Sequence, residues 1–488
     1  MPRRFLIAAA LALAAAGLPI PSHALFFRLD GERIWLQAEQ TPLAVVLSEF
    51  ARAGVAVRLD PRIRSSVTAA FRGAELDSSL ESLLSPYDYL LTWKVLRGPL
   101  GQVPKLHEIQ VFLPGERSAA RPIAAGKSTF ESSRGVSGTA PEFVKDEILV
   151  GVRPGTSYAR FQILLDQIGG MIVDADASTG AYLVRFPSGT NVEALLDQLA
   201  GNPLVARAEL NHVFRLPDRS GSPAAPGKAL PPDVRPPADG SVPVAVLDSG
   251  LDPRAGLSPV VSAEWDAVDP DRPMSDPDGH GTHMALLAGG LVSADGIDSG
   301  AVLPVVAVRA FDEEGKTSSF AIMQSLAFAA QAGAKVVNMS WGSESDGDFM
   351  RAAMQVAAQR GLVLVAAAGN EPTGKPVYPA AYPQVLAVGG VEPDGSPLPI
   401  SNRGDFVDLS APATALLPSG TDGSPAAYAG TSIASAVVAN ALAQYLGRHP
   451  GASAASAWSA LKACLSPAPA GFGAGILDAD ALRRFLAR

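Results

Sequence analysis

The chain is short of cysteine, of long apolar runs and of positive charge. Cys464 is the only cysteine in 488 residues. It cannot pair within the chain, so no disulfide framework is available and stability must come from packing. Cys464 lies in an Ala/Leu-rich helical pattern and reads as a small buried apolar residue. Lys and Arg number 39 against 48 Asp and Glu, a net charge of −9 with a pI near 5.3. That balance gives no electrostatic footprint for nucleic acid or an anionic membrane. The apolar run from Phe5 to Leu18 has 14 residues, short of the roughly 20 that a spanning helix needs. Arg3 and Arg4 precede it, Pro19 and Pro21 break it, and Ser22-His23-Ala24 offers small residues for cleavage. Residues 1–24 therefore read as a signal peptide, removed on export. No later stretch is long and apolar enough to span, so the mature chain is expected to cross no membrane.

What is present is material for sizeable cores: 47% apolar and 18% charged residues, over a length that suggests about three domains. Residues 25–115 form the first. Thr41-Pro42 reads as N-cap and N1 of a helix whose Leu43, Val46, Leu47 and Phe50 share one face, with Gly54 ending it. Val55–Leu59 reads as a strand. A second helix carries Leu80, Leu83 and Leu84, and Leu90–Leu96 and Ile109–Leu113 alternate like paired strands. The entry Ala38-Glu39-Gln40-Thr41-Pro42-Leu43 and the stretch Leu80-Glu81-Ser82-Leu83-Leu84 resemble the small N-terminal domain of secretins and TonB-dependent receptors. An unrelated small α+β domain would carry the same pattern. The resemblance implies a docking or signalling module, whose partner would be an envelope or secretion-system protein.

Residues 116–140 have little periodicity and read as a linker. Residues 141–216 give the order βαββαβ: strands at Ile148–Val152, Met171–Val173, Tyr182–Phe186 and Val205–Phe214, with helices through Tyr158–Ile168 and Val192–Leu199. Glu147-Ile148-Leu149-Val150, Asn202-Pro203-Leu204-Val205 and Ala208-Glu209-Leu210-Asn211 resemble the propeptide domains of subtilisin-like proteases. Residues 217–240 are a second linker, rich in Pro, Gly, Ser and Ala. Residues 241–488 alternate apolar strands (Val242–Leu247, Val302–Val308, Lys335–Met339, Leu362–Ala367) with helical patterns (His280–Gly290, Ser319–Gly333, Phe349–Arg360). Such alternation predicts an α/β fold with a mostly parallel sheet covered on both faces. Ligands on such folds bind beyond the carboxyl ends of the strands.

Four chemically capable residues fall at such places. Asp248 ends the run Val244–Leu247, and His280 stands in Asp278-Gly279-His280-Gly281-Thr282-His283. Asn370 follows Ala367-Ala368-Gly369. Ser432 stands in Gly430-Thr431-Ser432-Ile433-Ala434-Ser435-Ala436, ahead of a helical pattern beginning at Val437. A serine near a helix N-terminus has free backbone N–H groups beside it, able to hold an oxyanion. It is a weak nucleophile without a base. Each residue alone is an ordinary turn former or cap. Together, each in its own glycine-flanked segment, they resemble the subtilisin-like serine proteases, in that family's chain order of Asp, His, Asn and Ser. The resemblance covers about 245 residues and implies a fold, a reaction and a set of roles. Ser432 would be the nucleophile, His280 the general base, Asp248 its orienting carboxylate and Asn370 an oxyanion donor. Ser340-Trp341-Gly342 resembles the substrate-binding edge, with Ala367-Ala368-Gly369 as the opposite wall of the pocket for P1, the residue whose carbonyl is attacked. Small wall residues suggest room for a large apolar P1 group, and Glu371 nearby would favour a basic one.

The resemblance further implies a peptide or protein substrate, the chain's own propeptide as partner, and no required cofactor. His280 and His283 stand three apart, but zinc would need a third ligand and no H-E-x-x-H pattern occurs. The resemblance leaves calcium open at Asp295 and Asp298 in the loop Ser293–Gly300, where some members bind it and where aspartates also serve as solvated turn residues. The chain departs from the family at Ile433, Ala436, Asn440 and Met284-Ala285-Leu286, which bears on packing more than on chemistry. The expectation is an exported, self-processed serine endopeptidase, periplasmic or secreted. The rival is a periplasmic docking protein whose protease fold is a silent scaffold.

Overall fold

The computed structural model describes residues 25–30, 33–98, 100–123, 130–134, 141–217, 236–270, 272–419 and 424–488. The signal peptide read over residues 1–24 and most of the linker read over 217–240 lie outside them. The chain divides into two compact units, Met1–Gly126 with Met171–Val173, and Lys127–Gly170 with Asp174–Arg488.

In the first unit the order is β1 (Phe26–Asp30), β2 (Arg33–Pro42), α1 (Leu43–Arg52), β3 (Ala56–Leu59), β4 (Ser66–Glu75), α2 (Leu76–Leu84), β5 (Asp88–Gly98), β6 (Gly101–Phe112) and β7 (Arg121–Pro122). Two sheets result, β1-β2-β4 and β5-β6-β3-β7. Leu43, Val46, Leu47 and Phe50 are all buried on one face of α1, as their spacing requires. The expected N-cap differs. Thr41 and Pro42 still belong to β2, paired with Val67 and Ser66. Sheet pairing holds Pro42 extended (ψ 133°), so the helix begins one residue later.

The segment read as a linker, 116–140, is also partly structured. β7 pairs with β3. In the second unit β8 (Ser132–Arg134) pairs with β9 (Glu142–Val152). Phe130, in the same stretch, is buried against Val144, Val213 and Ala321. One aromatic anchor and a few ladder bonds order a segment too short to show periodicity.

The chain continues with α3 (Tyr158–Ile168), β10 (Met171–Asp176, whose first three residues fall in the first unit and the rest in the second), β11 (Ala181–Arg185), α4 (Val192–Ala200) and β12 (Val205–Arg215), the βαββαβ order. Ser157 caps α3 by accepting from the Arg160 N–H, and Asn191 caps α4 by accepting from the Ala194 N–H. β9 is flanked antiparallel by β11 and β12.

Then follow β13 (Val244–Asp248), β14 (Val261–Asp266), α5 (His280–Ala288), β15 (Val305–Arg309), β16 (Lys316–Ser318), α6 (Ser319–Gln331), β17 (Val336–Met339), α7 (Asp348–Gln359), β18 (Val363–Ala367), β19 (Val385–Val391), β20 (Leu409–Pro412), β21 (Thr414–Ser419), β22 (Ser424–Ala429), α8 (Thr431–Arg448), α9 (Ala454–Lys462) and α10 (Ala479–Leu486). Seven strands pair in the order β14-β15-β13-β17-β18-β19-β20, and all their pairings are parallel. Every residue of β13, β15, β17 and β18 is buried, as expected of a sheet covered on both faces. α8 is buried on nearly every side, and its small side chains let it pack closely. It starts at Thr431, earlier than the pattern at Val437 suggested, because Thr431 is tied to Asn370 by two bonds of 2.9 Å. No helix of the described residues is long and apolar enough to cross a membrane.

Candidate active site

β13 lies inside the sheet and ends on Asp248, which is fully buried. Asp248 Oδ1 accepts from the Ser249 N–H at 2.8 Å and lies 2.7 Å from His280 Nδ1. The imidazole opens α5 and keeps only 14% of its side chain exposed. Two glycines allow this approach. A Cβ on Gly281 would lie 2.3 Å from the Gly250 carbonyl oxygen, and one on Gly250 (φ +116°) would lie 2.0 Å from that of Ser275.

Burial pushes the Asp248 carboxyl above its usual range, against the pull of His280. Burial alone would lower the His280 pKa. The Asp248 charge and hydrogen bond outweigh it, with Asp278 and Asp276 adding, so the imidazole sits above 6.5. With Nδ1 engaged by the carboxylate, Nε2 is the nitrogen left for proton transfer.

Asp276 holds this pair in place, and reading the sequence did not single it out. Its Oδ1 accepts from Ser249 Oγ at 2.7 Å and from the Gly279 N–H at 2.6 Å. Its Oδ2 accepts from the Thr282 N–H at 2.7 Å and from Thr282 Oγ1 at 2.6 Å. Ser249 Oγ in turn accepts from the Gly281 N–H at 2.8 Å. One carboxylate thus ties the residue after Asp248 to the first turn of the histidine helix. The available signal was an Asp four residues before His280.

Ser432 sits in the first turn of α8, 5% exposed. Its Oγ donates to the Ser340 carbonyl at 3.1 Å. Asn370 stands just beyond the end of β18. Its Oδ1 accepts from both the N–H and the hydroxyl of Thr431 at 2.9 Å. That pairing fixes which end of the amide is oxygen and leaves Nδ2 as the donor, beside Gly430, where a Cβ would come within 3.0 Å of it. Ser340 Oγ accepts from Asn338 Nδ2 at 2.7 Å and lies 3.0 Å from Ser435 Oγ, which braces the serine turn against the end of β17.

Residues 239–469 match the subtilase family (peptidase S8), and residues 132–211 match the fervidolysin N-terminal prodomain. The chain is 31% identical over 309 residues to the thermophilic serine proteinase of Bacillus sp. (strain AK1), covering 61% of this chain and 77% of that protein. It is 32% identical over 218 residues to thermitase of Thermoactinomyces vulgaris, covering 44% and 78%. The match to minor extracellular protease Epr of Bacillus subtilis (strain 168), 36% identical over 178 residues, spans only 27% of that protein. Fervidolysin of Fervidobacterium pennivorans, a keratinolytic enzyme related to subtilisin, shares the fold with a TM-score of 0.57 at 21% identity, over 71% of this chain and 61% of that one. The chain belongs to the subtilase family. By class it is a serine endopeptidase with an N-terminal prodomain.

In this subtilase the prodomain strand β12 runs along the edge segments expected to bind substrate. Val213, Phe214 and Arg215 pair antiparallel with Ser318, Thr317 and Lys316 of β16. Arg215 also bridges antiparallel to Gly342, and the Leu216 N–H donates to the Gly315 carbonyl at 3.0 Å. Phe214 is 1% exposed and meets the Trp341 ring edge-on at 5.5 Å. Trp341 is itself buried, with Nε1–H donating to the Leu247 carbonyl at 2.8 Å. Its side chain is therefore part of the core, and its neighbours' backbone forms the edge. Gly342 and Gly369 face a residue that reading the sequence missed, Val377: added Cβ atoms there would lie 2.4 and 3.5 Å from its methyl groups. Ala368 is buried, and its carbonyl accepts from Asn402 Nδ2 at 3.2 Å. Glu371 is exposed.

The other candidates have structural partners. His283 Nε2 lies 2.5 Å from the Pro418 carbonyl, with its ring against Tyr428. The third histidine of residues 241–488, His449, stacks on Tyr445 and bonds its carbonyl at 2.9 Å. Asp298 Oδ1 accepts from the Gly300 N–H at 3.0 Å. Among the described residues no cluster of three or more His, Cys, Asp or Glu could hold a metal ion. The departures at Ile433, Ala436, Met284 and Leu286 are buried apolar packing. Asn440 satisfies itself by donating to the Ala288 carbonyl at 2.9 Å and accepting from Gln444 at 2.6 Å.

Proposed function

We propose that this subtilase is an exported endopeptidase that cleaves peptide bonds through an acyl-enzyme on Ser432, and that residues 141–216 are its own propeptide. Ser432 Oγ leaves the Ser340 carbonyl, turns to His280 Nε2 and attacks the scissile carbonyl. The hydroxyl proton passes to His280, and Asp248 stabilises the imidazolium. Asn370 Nδ2 and the Ser432 N–H donate to the oxyanion. The tetrahedral intermediate collapses, His280 protonates the leaving amine, and water repeats the sequence to release the acid.

The observation that carries this reading is the 2.7 Å Asp248–His280 pair at the end of β13, together with a serine turn that is tied to Asn370 and bonded to Ser340 at the end of the neighbouring strand β17. The lie of β12 supports an inhibitory propeptide, since a strand already paired with β16 and Gly342 excludes a substrate from the same edges. Ser432→Ala is expected to abolish both turnover and separation of the propeptide. A Ser432→Ala protein that processes itself normally, with no other protease present, refutes it.

Residues 25–115 serve as a docking module toward an envelope or secretion-system protein in this reading. The resemblance to secretin and TonB-receptor N-terminal domains supports it, as does the half-exposed apolar pair Trp93 and Val95 on edge strand β5. Deleting them should leave hydrolysis of a soluble peptide unchanged and alter where the protease resides. Unaltered residence contradicts the docking role.

A further inference from the structure

The walls Ser340–Gly342 and Ala368–Asn370 leave the sheet from adjacent parallel strands, β17 and β18, so a crevice opens between them. β12 sets how an extended peptide passes that crevice. Arg215 is antiparallel to Gly342, so a peptide in the same register brings its second following residue opposite Ser340. The Ser340 carbonyl is 3.1 Å from Ser432 Oγ. The residue delivered there is P1, and its side chain meets the crevice between the walls.

Both walls present glycine at that point, which alone would leave a deep slot. Val377 stands in it. A Cβ on Gly342 would lie 2.4 Å from Val377 Cγ1, and one on Gly369 would lie 3.5 Å from Val377 Cγ2. A single isopropyl group therefore reaches both walls. It is held firmly. The next residue, Tyr378, exchanges two backbone bonds with Ser343 at 2.7 and 2.9 Å, and the Val377 carbonyl accepts from the Ala381 N–H at 2.8 Å. On the other side the Lys375 carbonyl accepts from Asn402 Nδ2 at 3.0 Å. A β-branched side chain on a pinned backbone has little rotamer freedom with which to yield.

We propose that Val377 is a specificity-determining residue that closes the P1 crevice, so that this protease cleaves after small residues such as alanine, glycine or serine and rejects aromatic and large aliphatic ones. The inference rests on the hydrolytic reading above and reverses the expectation drawn from the wall residues alone.

The test uses the full-length protein after its own maturation and chromogenic tetrapeptide anilides that differ only at P1: Ala, Leu, Phe or Lys. Ala is expected to exceed Phe and Leu in kcat/KM by about tenfold or more, since pocket-size discrimination of a few methylenes spans roughly 10–200-fold. Val377→Gly is expected to raise the Phe-to-Ala ratio by about tenfold. Should that variant not fold, Val377→Ala is expected to move the ratio the same way by less. Wild-type protein that turns over Phe or Leu as fast as Ala, or a folded variant with an unchanged ratio, overturns the proposal. Fluorophosphonate labelling separates the two failures. A labelled Ser432 with the wrong P1 order removes this inference alone, whereas an unlabelled protein that cleaves none of the peptides removes the hydrolytic reading and this inference with it.

Discussion

Asp276→Asn tests whether the base is positioned as described. The carboxylate accepts four hydrogen bonds, two on each oxygen, from Ser249, Gly279 and, twice, Thr282. An asparagine keeps one acceptor oxygen and offers an NH₂ donor in place of the other, so on one side two donors lose their acceptor. The Thr282 hydroxyl already accepts from the Asp252 N–H at 2.9 Å, which points its proton at Asp276. Leaving a buried N–H unpaired costs about 1–3 kcal/mol, which a domain with about 5–15 kcal/mol of stability survives. The rate is more sensitive, because a 1 Å displacement of a catalytic group costs about 10²-fold. We therefore expect a folded variant with kcat lowered by roughly 10- to 100-fold.

The charge change has its own sign. His280 must be neutral to act as base, and its pKa lies above 6.5 because Asp248, Asp278 and Asp276 outweigh burial. Wild-type activity should fall as pH drops through that raised value. Removing the Asp276 charge makes the imidazolium harder to form, so the acid limb should move to lower pH. Steady-state kcat against pH, with circular dichroism to check folding, reads both effects. Full activity with an unmoved acid limb refutes the positioning role.

Other outcomes follow from the same geometry. Asn370→Ala should lower kcat by about 10²–10³ with little change in KM, the range found for one oxyanion donor in subtilisin itself; an unchanged kcat removes Asn370 from the site. Glu209 of the prodomain accepts from the Asp348 and Phe349 N–H groups at 2.7 and 3.1 Å, at the start of a helix whose own N-cap is Gly347. Glu209→Ala removes that cap, worth about 0.5–2 kcal/mol, and should speed release of peptide-cleaving activity after maturation; an unchanged lag argues that the cap does not hold the prodomain. Hydrolysis of a short peptide should persist in EDTA, and its loss with recovery on adding calcium would contradict a reaction that requires no cofactor.

The parallel sheet and its central strands were legible because fully buried strands such as Val363–Ala367, and Val244–Leu247 ahead of Asp248, are unbroken apolar runs bounded by turn residues. The resemblance marked Asp248, His280, Asn370 and Ser432 because each sits in a fixed glycine-flanked segment. What stayed hidden was held by distant partners. Ile34, Leu36 and Ala38 alternate inward along β2, but Trp35 between them breaks the polar half of the pattern. Phe130 reads as a lone aromatic in a linker until Val144, Val213 and Ala321 close around it. Asp276 looks like a turn former until its four donors converge. Val377 lies in the loop that follows Gly369 but is distant in sequence from Gly342, and no local periodicity could place it between the two.

Mass-spectrometric mapping of a fluorophosphonate adduct on the matured protein tests the central claim most directly. The account predicts one adduct, on Ser432, that forms slowly or not at all in His280→Ala. An adduct on another serine, or a Ser432 adduct that forms at the same rate without His280, contradicts it.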